Sequence, residues 1–128
     1  MADLRTKSLT DTLLRLAAVA AVAAAIVHLA ALAVPAFNAS TYSPAYPWWR
    51  HALFIGINLT LAWLLPTPPS WLIWPYSLLT IQVLYSHGLG GFREWQQTGR
   101  VHWVDVVAVL GVPLLLGVLI VERRVRST

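Results

Sequence analysis

The sequence predicts an all-α fold: a polytopic membrane four-helix bundle, up-down-up-down, with both termini cytoplasmic. Three observations lead there. Hydrophobic residues make up 58% of the chain and charged ones only 11%, with a mean hydropathy of +0.65, whereas a soluble domain carries about a quarter charged residues. The apolar residues gather in four continuous runs of 17 to 20 residues, the length that crosses a hydrocarbon core of about 30 Å. The nine Lys and Arg sit at the ends of these runs, as they do in membrane proteins. The pI near 10.1 rests on those few charges, so the bilayer is the expected partner and nucleic acid is not. The absence of Cys excludes disulfides, thiolate metal sites and cysteine nucleophiles.

The single domain, residues 1–128, divides into four helices. The first, residues 16–34, has His28 as its only polar member. Basic residues before it and Ala31-Leu32-Ala33 at its end resemble a signal peptide, but signal cores run about 7 to 15 residues, and the longer run reads as a span. Ala17, Ala21, Ala24 and His28 recur at helical steps. Small residues on one stripe let helices approach closely in lipid, so the face bearing His28 is expected to turn inward. The second helix, residues 49–65, stops at Pro66. The third, residues 71–87, stops at Gly88, Gly90 and Gly91. Both are short, and would span with little tilt or pair tightly as a hairpin. The fourth, residues 102–121, stops at Glu122-Arg123-Arg124, and its Pro113 predicts a kink. Pro75 falls in a first turn, where proline is tolerated. Unbroken runs do not fit the alternation of a β-barrel.

Orientation follows from the basic residues. Arg5, Lys7, Arg15, Arg123, Arg124 and Arg126 lie on the side of the termini; Arg50, Arg93 and Arg100 lie on the other. The excess places both termini in the cytoplasm and points to a multi-pass protein of the cell membrane, the bacterial inner membrane. Tyr42, Tyr46, Trp48, Trp49, Tyr85, Trp95 and Trp103 form an outer aromatic belt, and Trp63, Trp71 and Trp74 an inner one. Asn38-Ala39-Ser40 matches a glycosylation pattern that has meaning only in a eukaryotic secretory host.

The histidines are the informative feature. His28, His51, His87 and His102 fall one to each helix, all in the outer half. Asn58 shares the face of His51, and Asp105 that of His102. Gln82 is on the helix of His87 but roughly 140° around from it. The glycines after His87 are expected to break the helix and fold Arg93 and Glu94 back over the bundle. Ionisable groups within a membrane bundle are costly and usually mark function.

His28 and Asp105, with at least two of His51, His87 and His102, are therefore expected to share one outward-open cavity. Imidazole with carboxylate suits a transition metal, which gives His28, His51, His87, His102 and Asp105 as candidate ligands. Pairs among His51, His87 and His102 could hold a b-type haem. A cofactor-free pocket for a lipid, quinone or small anion would add Asn58, Gln82, Arg93 and Glu94, with His28 and Asp105 as acid and base. The alternative is a non-catalytic small subunit or anchor, packed against other membrane subunits or against itself. No nucleophile elbow, phosphate loop or His-Glu-x-x-His motif is present.

Overall fold

A computed structural model of the protein describes residues 2–42 and 45–127. The side chains of residues 1–7, among them Arg5 and Lys7, lie outside the described residues. The fold is all-helical, with no strand among the described residues. Its α-helices are α1 (Ala2–Ala33), α2 (Pro35–Thr41), α3 (Trp48–Leu64), α4 (Ile73–Val83), α5 (Gly90–Thr98) and α6 (Trp103–Ser127). A 3-10 turn, Ser70–Leu72, leads into α4, and a π-helical segment, Leu84–Leu89, joins α4 to α5. The chain is thus helical without a break from residue 70 to residue 98.

Two helices are long and apolar enough to cross a membrane: Ser8–Ala33, with mean hydropathy 2.4, and Trp103–Arg126, with 2.7. Only 22% and 6% of the residues in their most apolar windows are buried. A soluble core helix would hide most such residues, whereas few of these are fully buried.

The helices pack in the order α3, α1, α6, α4. On α1 the buried apolar positions are Leu14, Ala18, Ala21, Ala25 and Ala31, a stripe at steps of three to six residues whose alanines let α3 and α6 come close. Of the expected stripe Ala17, Ala21, Ala24 and His28, Ala21 is buried and the other three are half-buried, so the inward face lies slightly round the helix, on Ala18, Ala21 and Ala25. Leu14 and Leu65 are fully buried, and with Leu72, Tyr76 and Leu119 they make the core at the end of the bundle that holds the chain termini. Glu122 is buried there too, where it accepts hydrogen bonds from the hydroxyl of Thr10, at 2.7 Å, and from Nε of Arg126. Expected from the sequence to be a charge that stops a helix, Glu122 instead ties α1 to α6.

Three elements differ from the sequence reading. First, α1 begins far ahead of residue 16, because Leu9, Leu13 and Leu14 continue its helical pattern. Second, the helix does not stop at Gly88. It runs through the glycines to Thr98 and ends at Gly99, whose φ of 68° is the left-handed cap that glycine supplies without strain. Glycine inside a helix costs about 1 kcal/mol relative to Ala, which packing against α6 offsets. Arg93 and Glu94 are accordingly on α5 and not in a loop. Third, α3 and α4 do not close as a tight hairpin: an open groove separates them. α6 continues through Pro113 to Ser127.

Ala21→Leu should destabilise the protein in detergent by roughly 1–3 kcal/mol, the usual cost of overpacking. Thermal unfolding measures it, and an unchanged transition would mean that this face is not packed.

Candidate functional site

The loop between α1 and α3 builds one half of the site. Pro35 opens α2 at its first turn, where its fixed φ is already helical and its missing N–H is not needed. Asn38, on α2, then reaches across the loop: its Nδ2 donates to the carbonyl of Tyr46 at 2.9 Å, and its Oδ1 accepts from the Tyr46 amide at 3.2 Å. This clamp holds Tyr46 against the bundle. Tyr42, at the end of α2, is buried. Burial, with Tyr46 and Asp105 nearby, pushes its phenol up to about 12. Burial raises Tyr46 as well, partly countered by Arg50, whose guanidinium carbon lies 3.9 Å over the Tyr46 ring.

Behind these tyrosines, His28 of α1 and His51 of α3 face each other, with their Nδ1 atoms 3.1 Å apart. One ring must donate and the other accept. The Tyr42 hydroxyl lies 3.4 Å from the same nitrogen of His28. Phe54, one turn below His51, stacks on His28 with centroids 5.2 Å apart. His51 is 1% exposed, and its Nε2 is buried with no hydrogen-bond partner among the described residues.

His87 and Asp105 make the other half. His87 Nδ1 donates to Asp105 Oδ1 at 2.7 Å, and both side chains are largely buried. The π-helical segment carries His87. Such a segment inserts one extra residue into a helix and re-aims the side chains after it, and it is frequent at functional sites. The carboxylate needs room as well: a Cβ on Gly91 would stand 2.8 Å from Asp105 Oδ2. Gly91 is thus the gap that admits Asp105. The His87 ring meets Tyr42 at 6.4 Å and Tyr46 at 6.1 Å between centroids, which joins the two halves into one network.

The groove between α3 and α4 runs beside this network and has a volume of about 710 Å³. One wall includes Tyr46, from the loop before α3, with Arg50, Phe54 and Ile57 of α3; Leu78, Gln82 and Arg93 stand on the opposite wall. Tyr46 and Phe54 belong to both the groove and the network, as a partition one ring thick. The Gln82 amide donates to Ser86 Oγ at 3.2 Å, while its Oε1 is buried without a partner among the described residues.

Of the expected residues, His28, His51, His87 and Asp105 come together. His102 does not: it turns to Glu94, at 3.0 Å, and is not among the rings around Tyr42 and Tyr46. The reason is that α5 stays helical and lays Glu94 against the start of α6. Asn58 bonds to the Phe54 carbonyl of its own helix, at 2.8 Å. Gln82 and Arg93 line the groove and not the histidine network. Among the described residues, no group of three or more His, Asp or Glu side chains is placed to hold a metal ion. His28 and His51 are in direct contact, and His87 is engaged by Asp105. Sequence reasoning misses Tyr42, Tyr46, Asn38 and the role of Gly91. A loop of 14 residues between two His-bearing helices, holding Asn and two Tyr between prolines, is the available signal.

No protein-family model matches the chain, and no curated protein or solved structure is detectably similar to it. Function is therefore to be derived from this geometry.

Gly91→Ala should expel Asp105 from His87 and cost about 1–3 kcal/mol, the penalty of stranding a buried polar partner. Gly90, where an added Cβ meets nothing within 4 Å, is the control: Gly90→Ala should be neutral or stabilising by up to about 1 kcal/mol. Thermal unfolding of both variants checks the contrast, and equal effects would contradict the role given to Gly91.

Proposed function

We propose that this is a multi-pass membrane protein that takes a polar-headed amphiphile from the bilayer into the α3–α4 groove and holds its head against the His–Tyr–Asp network. In this reading four helical rods cross the membrane: α1, α3, the rod from the 3-10 turn to the π segment, and α6. Both termini are cytoplasmic, by the excess of basic residues on that side. The outward-facing apolar side chains of α1 and α6 support lipid around the fold. The packing of α1 through Leu14, Ala18 and Ala21 supports a retained first helix.

One observation carries the functional part. Tyr46 stands at once in the wall of an apolar groove and against the rings of His51 and His87. A ligand whose tail lies along Phe54, Ile57 and Leu78 would present its head to Tyr46 and Arg50. The groove volume is in the range of about 300–1,000 Å³ typical of small-molecule sites. Each member of the network can move or hold a proton. Asp105 fixes the Nδ1–H of His87, which leaves the other ring nitrogen as an acceptor, the arrangement of an oriented general base. Tyr42 and Tyr46 stay protonated well above neutral pH and are therefore donors. His28 and His51 share a proton between facing nitrogens.

Organic extraction of the protein purified in mild detergent, followed by mass spectrometry, tests this. A lipid or isoprenoid quinone should co-purify near stoichiometry with the wild type and be lost from Ile57→Trp, which fills the groove. If nothing is enriched over bulk lipid, or Ile57→Trp retains the same molecule, the amphiphile reading fails. A non-catalytic subunit, with a partner helix lying in the groove, then accounts better for the open seam.

A further inference from the structure

Two cations at the outer end of the groove have no counterion among the described residues. Arg50 is on the α3 wall and Arg93 on the α5 wall. The ion pairs of the described residues engage His87 with Asp105, His102 with Glu94, and Arg126 with Glu122; neither Arg50 nor Arg93 takes part. Two carboxylates are close by, and each is turned elsewhere: Asp105 to His87, and Glu94 to His102. Arg50 is held over the Tyr46 ring, and Asn38 fixes the backbone of Tyr46 from both sides. The guanidinium of Arg50 is thus positioned before any ligand arrives.

Below the arginines the groove changes character. Leu53, Phe54 and Ile57 on one side, and Leu78 and Leu79 on the other, offer only hydrocarbon. From Pro75 to Arg93, 18 residues along one continuous helical rod, the wall is about 27 Å long at 1.5 Å per residue. One leaflet with its headgroup is about 20–22 Å deep, half of a full bilayer. Trp49 and Tyr85 also line the groove, and such rings favour the headgroup level.

We infer that the groove is a site for an anionic phospholipid, with the phosphate between Arg50 and Arg93 and one acyl chain along Phe54, Ile57 and Leu78. This names the ligand class for the function proposed above and rests on that reading. Charge complementarity selects it. A zwitterionic lipid brings its own cation into a site that already holds two, and a neutral quinone leaves both arginines without an anion. Arginine suits the phosphate because its planar fork donates two parallel hydrogen bonds.

The test uses the full chain in detergent, mixed with equal mole fractions of phosphatidylglycerol, phosphatidylcholine and a long-chain ubiquinone, with bound molecules counted by native mass spectrometry. Wild type should retain phosphatidylglycerol over phosphatidylcholine by roughly thirtyfold, the scale of two interfacial arginines. Arg50→Gln with Arg93→Gln should bring the two lipids to parity, and Arg50→Lys with Arg93→Lys should keep part of the preference. Equal retention by wild type, or a preference that survives the double Gln substitution, overturns the inference. Preferential retention of ubiquinone, lost in Ile57→Trp but indifferent to the arginines, overturns it while leaving the proposed function in place. If Ile57→Trp changes the retention of none of the three, both fall.

Discussion

A largely buried carboxylate in the first turn of α6 sets the terms for the end of the molecule away from the chain termini. Stripping a buried charge of its partner costs about 3–5 kcal/mol, so a carboxylate in this position needs one. Asp105 finds it in His87, across the interface of α6 with the π segment. That contact makes two demands on the chain. The helix carrying His87 must be re-aimed, which the extra residue of Leu84–Leu89 achieves. The backbone facing Asp105 must lack a side chain, which Gly91 provides. Helix geometry, glycine placement and a buried charge are here one constraint seen from three sides. The continuous rod from residue 70 to residue 98 is a consequence, because breaking it at the glycines would withdraw the surface on which α6 rests.

The groove is the complement of that arrangement. With α4 and the π segment drawn against α6, and α3 drawn against the alanine stripe of α1, α3 and α4 are left apart. At the end near the chain termini the bundle is secured by Leu14, Leu65 and Leu119, and by Glu122 between Thr10 and Arg126. At the other end polar contacts hold it: His28 with His51, His87 with Asp105, His102 with Glu94. A seam that is open along its length and polar at its mouth is suited to a ligand that is itself apolar along its length and polar at one end.

Much of this was legible in the sequence, for physical reasons. Apolar runs long enough for a bilayer, without alternation, are helices, so the all-α class followed from composition and pattern. Ala17, Ala21 and His28 share a helix face by periodicity alone; Ala21 is buried, and Ala17 and His28 lie half-buried at the edge of the inward face. Asp105 was expected to share a cavity with His28 and at least two of His51, His87 and His102. Which of them would pair with it was not legible, because His87 reaches Asp105 only after a change of helical register that no local pattern announces. Gly88, Gly90 and Gly91 suggest a helix end by propensity, yet tertiary packing against Val109 and Asp105 keeps the helix going. Tyr42 and Tyr46 suggest interface aromatics, since the same rings serve at a membrane boundary and in a hydrogen-bonded core. His102 shares the face of Asp105 but is captured by Glu94, because the segment after the glycines forms α5 instead of a loop.

The proton between His87 and Asp105 is the point on which the rest depends most directly. Long-range nitrogen–proton NMR correlation of the four imidazoles, in detergent micelles at neutral pH, reads it. The geometry requires His87 to carry its proton on Nδ1, with the hydrogen-bonded shift of a donor to carboxylate, and requires that signature to vanish in Asp105→Ala while His102 keeps its own. A His87 protonated only on Nε2, or a His87 spectrum unaffected by Asp105→Ala, would contradict it.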